Sequence, residues 1–418
     1  MATFEKGNAV IGQSGGPTLV INQSLVGIVK KLKKYLEIGK ILGAVHGVKG
    51  ILDDEFVDMK QLDDDLLEKI AKTPSSALGS VRLKPKKDDV LKMFDVMKKN
   101  DVKYFFYIGG NDTAETAFII NEISNETGYP LKAFHVPKTI DNDLLVNDHT
   151  PGFGSAAKFI AQAFIGDNLD NRSLPGIKVN IVMGRHAGFL TAASLMARKY
   201  KDDGPHLIYV PETTFTVEKF VNDVKEVYQR LGRCIIAVSE GVSDEEGRPI
   251  IEKEVFFSTP ETVIDKDGSL LQKQREVDSH GNIQLSGSGA LGDFLAMIIK
   301  EKVGASRVRA DTFGYLQRSF LGCLSEVDSR EARLVGEKIV DYAAEGKEGG
   351  SVAIIRKDSP KYEIDTIFTP LHTIAKKTKS LDSRYIINGN DIDASYLKYV
   401  SPLVGEIPEI AIIEDDRI

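Results

Sequence analysis

The densest concentration of reactive side chains is Pro137-Lys138-Thr139-Ile140-Asp141-Asn142-Asp143. Two carboxylates at i and i+2, an amide between them and an ammonium three residues before the first make a costly cluster unless something charged binds. In such a group one aspartate serves as general base while the other orients it or holds a cation through water. A polar loop closed by Asx-turns is the bland alternative. Arginines recur elsewhere in short turns: Gly79-Ser80-Val81-Arg82, Met183-Gly184-Arg185, Arg309, and Gly314-Tyr315-Leu316-Gln317-Arg318. Arg forks bind phosphate bidentately, and Glu240, in Glu240-Gly241, has the acceptors for sugar hydroxyls. Each arginine alone is more often a strand-end salt bridge. One sugar-phosphate pocket explains all of them together more simply.

Glycine turns supply the complementary half. Gly109-Gly110-Asn111-Asp112-Thr113 follows an apolar run and precedes a helical one, so backbone N–H groups from Gly110 onward point at a common concavity that suits phosphate. Asn111, Asp112 and Thr113 are also ordinary helix caps. Gly12-Gln13-Ser14-Gly15-Gly16 fits the G-x-S-x-G elbow of serine hydrolases. It lies early in the chain, and no acid–His pair stands out among seven histidines, so an anion-binding turn is the better reading. Gly287 to Gly292 fits G-x-G-x-x-G and would suit a nicotinamide-dependent oxidoreductase. Gly152-Phe153-Gly154 with Ala157 fits the Ala variant of the same pattern. Neither follows a convincing strand, and both read as helix-start turns.

The elements that must position these residues alternate along the chain. Apolar runs at 8–13, 41–45, 104–108, 132–136, 177–182, 207–210, 234–238, 307–312 and 351–355 read as strands. Amphipathic runs at 20–32, 90–97, 113–123, 217–231, 290–302 and 330–344 read as helices. Strands apolar on both faces, separated by helices, imply parallel sheets covered on both sides, with ligands at the carboxyl ends of the strands. The reactive turns fall there. The polar stretch 244–288, with Asp267-Gly268 and Gly281-Asn282, reads as hairpins or an inserted flap.

With 418 residues, the chain is long enough for two or three cores. Its 54 basic and 61 acidic side chains give a formal charge of −7, which argues against a nucleic-acid partner while leaving room for a local basic pocket. No apolar run approaches the ~20 residues of a membrane helix. The start, Met1 to Gly7, lacks the apolar core of a secretory signal, so a cytoplasmic protein with no membrane partner is expected. Cys234 and Cys323 form no disulfide framework and lack metal-ligand spacing.

The order of these motifs resembles the phosphofructokinase family, over residues 12 to 318. The Thr139-to-Asp143 run followed by Met183-Gly184-Arg185 carries most of the likeness. The resemblance implies an α/β fold of two doubly wound lobes with largely parallel sheets, an inserted flap, and an active site in the cleft between lobes. It implies a phosphoryl-donor lobe of 1–152 plus about 317–375, and a sugar-phosphate lobe of 153–316 plus about 376–418. Asp141 is then the base for the 1-hydroxyl of fructose 6-phosphate. Thr139, Ile140, Asp143, Met183, Gly184, Arg185 and Glu240 hold the sugar or the transferring phosphoryl group. Arg309 and Arg318 grip the 6-phosphate, with Tyr315 beside them. Arg82 bridges phosphoryl oxygens, and Gly15 and Gly110 cradle the donor.

Two positions address the donor. ATP-using members of the family usually carry Gly where this chain has Asp112 and Lys138, and the pyrophosphate-using branch carries Asp and Lys. A carboxylate at Asp112 would repel an α-phosphate, while an ammonium at Lys138 can pair with charge on pyrophosphate as the bond breaks. The resemblance also implies Mg2+. Asn111 stands where pyrophosphate enzymes often have Asp, so the metal falls to Asn111, with Asp112 and Asp141 as alternative carriers. The family borrows an arginine from a neighbouring subunit, which implies a homodimer or homotetramer. The matching stretch, Gly176-Ile177-Lys178, has no arginine, leaving Arg172 or Lys178. An ATP-dependent enzyme and a non-catalytic sugar-phosphate sensor remain as alternative readings, and residues 319–418 carry only a structural reading.

Overall fold

The computed structural model describes residues 3–250 and 289–413, with the backbone of two short strands between them. Five apolar runs form the parallel centre of one sheet: β1 (Gly7–Gln13), β2 (Ile38–Ala44), β4 (Val102–Gly109), β5 (Lys132–Pro137) and β12 (Gly350–Arg356). β3 (Phe56–Asp58) and β13 (Ile364–Thr369) close its edges antiparallel, giving the order β13-β12-β5-β4-β1-β2-β3. A second sheet is wholly parallel. It contains β6 (Ile177–Val182), β7 (Leu207–Tyr209), β8 (Cys234–Ser239) and β11 (Val308–Thr312), in the order β11-β6-β8-β7.

Burial explains the strand sequences. Ala9, Val10, Ile11, Phe105, Phe106, Ile235 and Ile236 are inaccessible to solvent, as expected where helices cover both faces. On one face of the first sheet the helices Ile21–Leu32 and Glu326–Ala344 pack so closely that a methyl on Gly336 would lie 2.3 Å from the Ser24 carbonyl oxygen. A second core lies around helix Phe153–Ser173, where Phe153, Phe164 and Leu190 meet Tyr396, Val400 and Leu403 of helix Tyr396–Val404. Asp328 ties that core to the first sheet's helices: its buried carboxylate accepts from the Gly152 N–H (2.8 Å), the Ser155 N–H (2.9 Å) and the Ser155 hydroxyl (2.6 Å).

Gly152 does start a helix, as the sequence suggests, but that helix runs 21 residues and is buried on several faces, which hides its period. Gly289 and Ala290 likewise open helix Ala290–Val303, where Gly292 packs beside Ala310. Of the stretch read as an insert, 251–288 lies outside the described residues except for β9 (Val263–Ile264) and β10 (Leu270–Leu271), which pair antiparallel. No helix among the described residues is long and apolar enough to cross a membrane.

Candidate active site

The carboxyl ends of both sheets face one cleft with a cavity of about 550 Å³. From the first sheet come Ser14 to Pro17 after β1, Gly110 to Thr113 after β4, and Lys138 to Asp141 with Asp143 after β5. The second supplies Met183, Arg185 and His186 after β6, Glu240 after β8, and Tyr315 and Arg318 beyond β11. Arg82 completes the lining from the sequence-derived set.

Lys138 sits at the centre of this arrangement. Its backbone N–H continues the β4–β5 register by donating to the Gly109 carbonyl at 2.9 Å, and its buried ammonium donates to the Gly16 carbonyl at 2.7 Å. Burial drives its pKa down to about 7, helped by Arg318 and Arg82 and opposed by Asp141 and Asp143. Gly15 makes room for this cation: its φ is +72°, a conformation open to glycine, and a Cβ there would lie 3.2 Å from Lys138 Nζ. Ser80 holds the turn by donating its hydroxyl to the Gly15 carbonyl at 2.6 Å. Ser14, the elbow serine of the hydrolase pattern, donates to the Val81 carbonyl at 3.3 Å and so serves the same turn.

The two aspartates are held differently. Asp141 lies deep in the cleft, its N–H donating to the Thr139 hydroxyl at 3.1 Å. Burial raises its carboxyl pKa, while Arg318, Lys138, His186 and Arg185 pull it down. Asp143 is pushed up to about 7 by burial and by the neighbouring Asp141 charge, and it accepts from the Asn111 side-chain amide at 3.0 Å. That bond distinguishes the two ends of the Asn111 amide, Nδ2 donating to Asp143 and Oδ1 left over. Its Oδ1 is buried without a hydrogen-bond partner, the oxygen donor that a hard divalent cation takes.

Gln317 joins the sugar-side turns, accepting from the Met183 N–H at 3.0 Å and donating to the Gly314 carbonyl at 2.9 Å. Arg318 stacks on the Tyr315 ring at 4.7 Å. Gly184 shapes the Met183–Arg185 turn with φ +129° but is not itself on the cavity wall.

Arg309 departs from the expected set. It is exposed on β11, donates to the carbonyl of its neighbour Val308, and does not line the cleft. The two substitutes for a borrowed arginine are both engaged within the chain. Arg172 donates to the buried Asp203 carboxylate, and Lys178 pairs with Asp167 and Asp311. Glu212 is a staple, accepting from the Gly188 and Leu381 N–H groups. Sequence reasoning missed His186, Lys376, Lys377 and Thr378, all on the cavity wall. His186 is adjacent to the Met-Gly-Arg turn and could have been found there. The other three are nearly 200 residues beyond it, with no local signal.

A two-lobed α/β chain whose strand ends converge on buried cations and paired carboxylates defines a phosphoryl-handling protein. Residues 8–343 match the phosphofructokinase family, and the chain belongs to it. It is 52% identical to a pyrophosphate–fructose 6-phosphate 1-phosphotransferase of Rhodospirillum rubrum, over 99% of this chain and 98% of that one. It is 33% identical to the protein of the same description from Halomonas elongata, over 98% and 97% of the two chains. The pyrophosphate-dependent phosphofructokinase structure from Marinobacter aquaeolei matches with a TM-score of 0.81 at 29% identity, covering 98% of this chain and 94% of that one.

The depressed pKa of Lys138 has a consequence for stability. A lysine whose folded pKa lies below its unfolded value destabilises the fold fully below about pH 7, and the penalty fades as pH rises toward the unfolded pKa near 10.5. In ligand-free protein, Lys138→Met should therefore be more stable than wild type at pH 6, with an advantage that shrinks steadily by pH 9. Denaturant midpoints across that range check this; a pH-independent difference would contradict it.

Proposed function

We propose that the cleft transfers a phosphoryl group from pyrophosphate to the 1-hydroxyl of fructose 6-phosphate. The products are fructose 1,6-bisphosphate and inorganic phosphate. The observation that carries this reading is the presence of Asp112 and Lys138 on the wall of one cavity, together with Gly110. Asp112 occupies the path that the α-phosphate of a nucleotide would take and repels it. Lys138 meets the smaller donor with an ammonium that donates to the Gly16 carbonyl and forms no salt bridge among the described residues.

The sugar oxygen attacks phosphorus, the bridging P–O bond breaks, and the hydroxyl proton passes to Asp141. A carboxylate held above its usual pKa is the better base near neutral pH. Lys138 and Arg82 neutralise charge on the donor, while the Gly15 and Gly110 turns offer backbone N–H groups to its phosphates. Thr139, Ile140, Asp143, Met183, Arg185 and Glu240 position the sugar, Gly184 shapes the turn that presents Met183 and Arg185, and Arg318 and Tyr315 lie at the sugar's phosphate. Mg2+ would take the free Asn111 Oδ1 together with donor phosphate oxygens, and would supply charge neutralisation. Exchange of an anhydride for an ester, with phosphate leaving, suits a reversible step of cytoplasmic glycolysis and gluconeogenesis.

Purified protein assayed with fructose 6-phosphate should turn over with pyrophosphate and not with ATP. Turnover with ATP alone would favour the ATP-dependent reading. Asp112→Gly should admit ATP as donor; continued exclusion of ATP would remove Asp112 from the donor assignment.

Arg309, exposed and away from its own cleft, supports a homodimer or homotetramer in which it reaches the sugar phosphate of a second copy. Mixing Arg309→Ala with Asp141→Asn protein should then restore part of the activity that each lacks alone, through sites carrying neither change. No recovery on mixing, with both variants folded, would sink the shared-site arrangement.

A further inference from the structure

The cavity wall includes a C-terminal strap, residues 374–379, that no motif announced. Three anchors fix it. Ile374 is fully buried against Ala114, in the first turn of helix Asn111–Thr127, and against Leu144. Thr378 bridges Leu144 in antiparallel register, and the Lys379 N–H donates to the Asp143 carbonyl at 2.7 Å. The Lys379 ammonium donates to the carbonyls of Asp148 (2.8 Å) and Asn147 (3.0 Å) and reaches Asn142 Oδ1 at 3.3 Å. The strap is thus stitched to the loop that carries Asp141 and to the helix that begins at the donor turn.

Between these anchors lie two lysines with different surroundings. Lys376 adopts φ +62°, a left-handed conformation unusual for a non-glycine residue, and pairs with Glu115 at 3.2 Å. Glu115 also holds Lys84 at 2.6 Å, so those two ammonium groups share one carboxylate. Lys377 comes next. Its N–H donates to the Ile374 carbonyl at 3.2 Å, and the residue, exposed to solvent, lines the same cavity as Gly15, Arg82, Asp112 and Lys138.

We infer that Lys377 is a binding residue for the donor, reaching the phosphate of pyrophosphate that departs as inorganic phosphate. The placement favours the donor over the sugar's phosphate, because the strap packs on the first turn of helix Asn111–Thr127, which opens at the donor turn, while Tyr315 and Arg318 lie beyond β11 of the second sheet. Charge balance favours it too. Lys84 and Lys376 are engaged by Glu115, and burial weakens the charge on Lys138, so Lys377 adds to the positive charge that Arg82 brings to this wall. A leaving phosphate gains negative charge as the bridging bond breaks, and an ammonium already in place stabilises it without reorganisation.

This inference rests on the pyrophosphate reading, and the test separates the two. Wild-type turnover with pyrophosphate decides that reading. Lys377→Met decides the inference: the KM for pyrophosphate, and for phosphate in the reverse direction, should rise about tenfold or more, as expected for loss of a charge-assisted contact. The KM for fructose 6-phosphate should stay within about twofold, and Lys377→Arg should recover most of the loss. Unchanged KM for pyrophosphate in a folded Lys377→Met protein would overturn the assignment, as would an equal rise in both substrates' KM values. Should the wild type not use pyrophosphate, calorimetric titration with methylenebisphosphonate still decides it: weaker binding to Lys377→Met supports the contact, and equal binding removes it.

Discussion

The architecture depends on one buried cation. Lys138 is set into the floor of the cleft by the β5 backbone and donates to the carbonyl of Gly16, while Arg318 and Asp141 stand close enough to shift its proton affinity in opposite senses. Burying an ammonium costs several kcal/mol unless charge compensates it. Here the compensation is partial, and the residue's affinity for a proton falls accordingly. An anion bound beside Lys138 would complete that compensation. Gly15, the Ser80 hydroxyl and the Gly109 carbonyl all keep that lysine in place, so much of the first sheet's carboxyl edge is organised around it.

Much of this was legible in the sequence because the information is local. A strand buried on both faces has to be an apolar run, and a turn that approaches phosphate needs glycine, so runs ending in Gly-Gly or Met-Gly-Arg locate both the sheet and the site. The parallel strands fall within a few residues of the apolar runs. The resemblance to a family supplied the roles, and the structure brings Lys138, Thr139, Ile140, Asp141, Asp143, Asn111, Asp112, Arg82, Met183, Arg185, Glu240, Tyr315 and Arg318 to one cavity.

What was not legible depends on distant packing. Helix Phe153–Ser173 is covered on several faces, so its apolar residues show no clean stripe. β13 alternates visibly but pairs at an edge, and β3 is three residues long. The strap at 374–379 reads as a polar lysine-rich loop, and it reaches the site through long-range contacts: Ile374 in its apolar cluster, Thr378 against Leu144, and Lys379 on the 142–148 loop. Arg309 shows the opposite pattern: its motif position is clear, but on the edge strand β11 it is exposed and is not among the residues that line the cleft.

On the proposed function, a partly compensated buried ammonium serves the phosphoryl donor at a cost to the empty fold. Steady-state kinetics of Lys138→Met with pyrophosphate and fructose 6-phosphate test it most directly. The kcat should fall by about 10²- to 10³-fold, the usual effect of removing one preorganised donor of this kind, with the KM for fructose 6-phosphate within about threefold of wild type. A kcat within about threefold of wild type would contradict it.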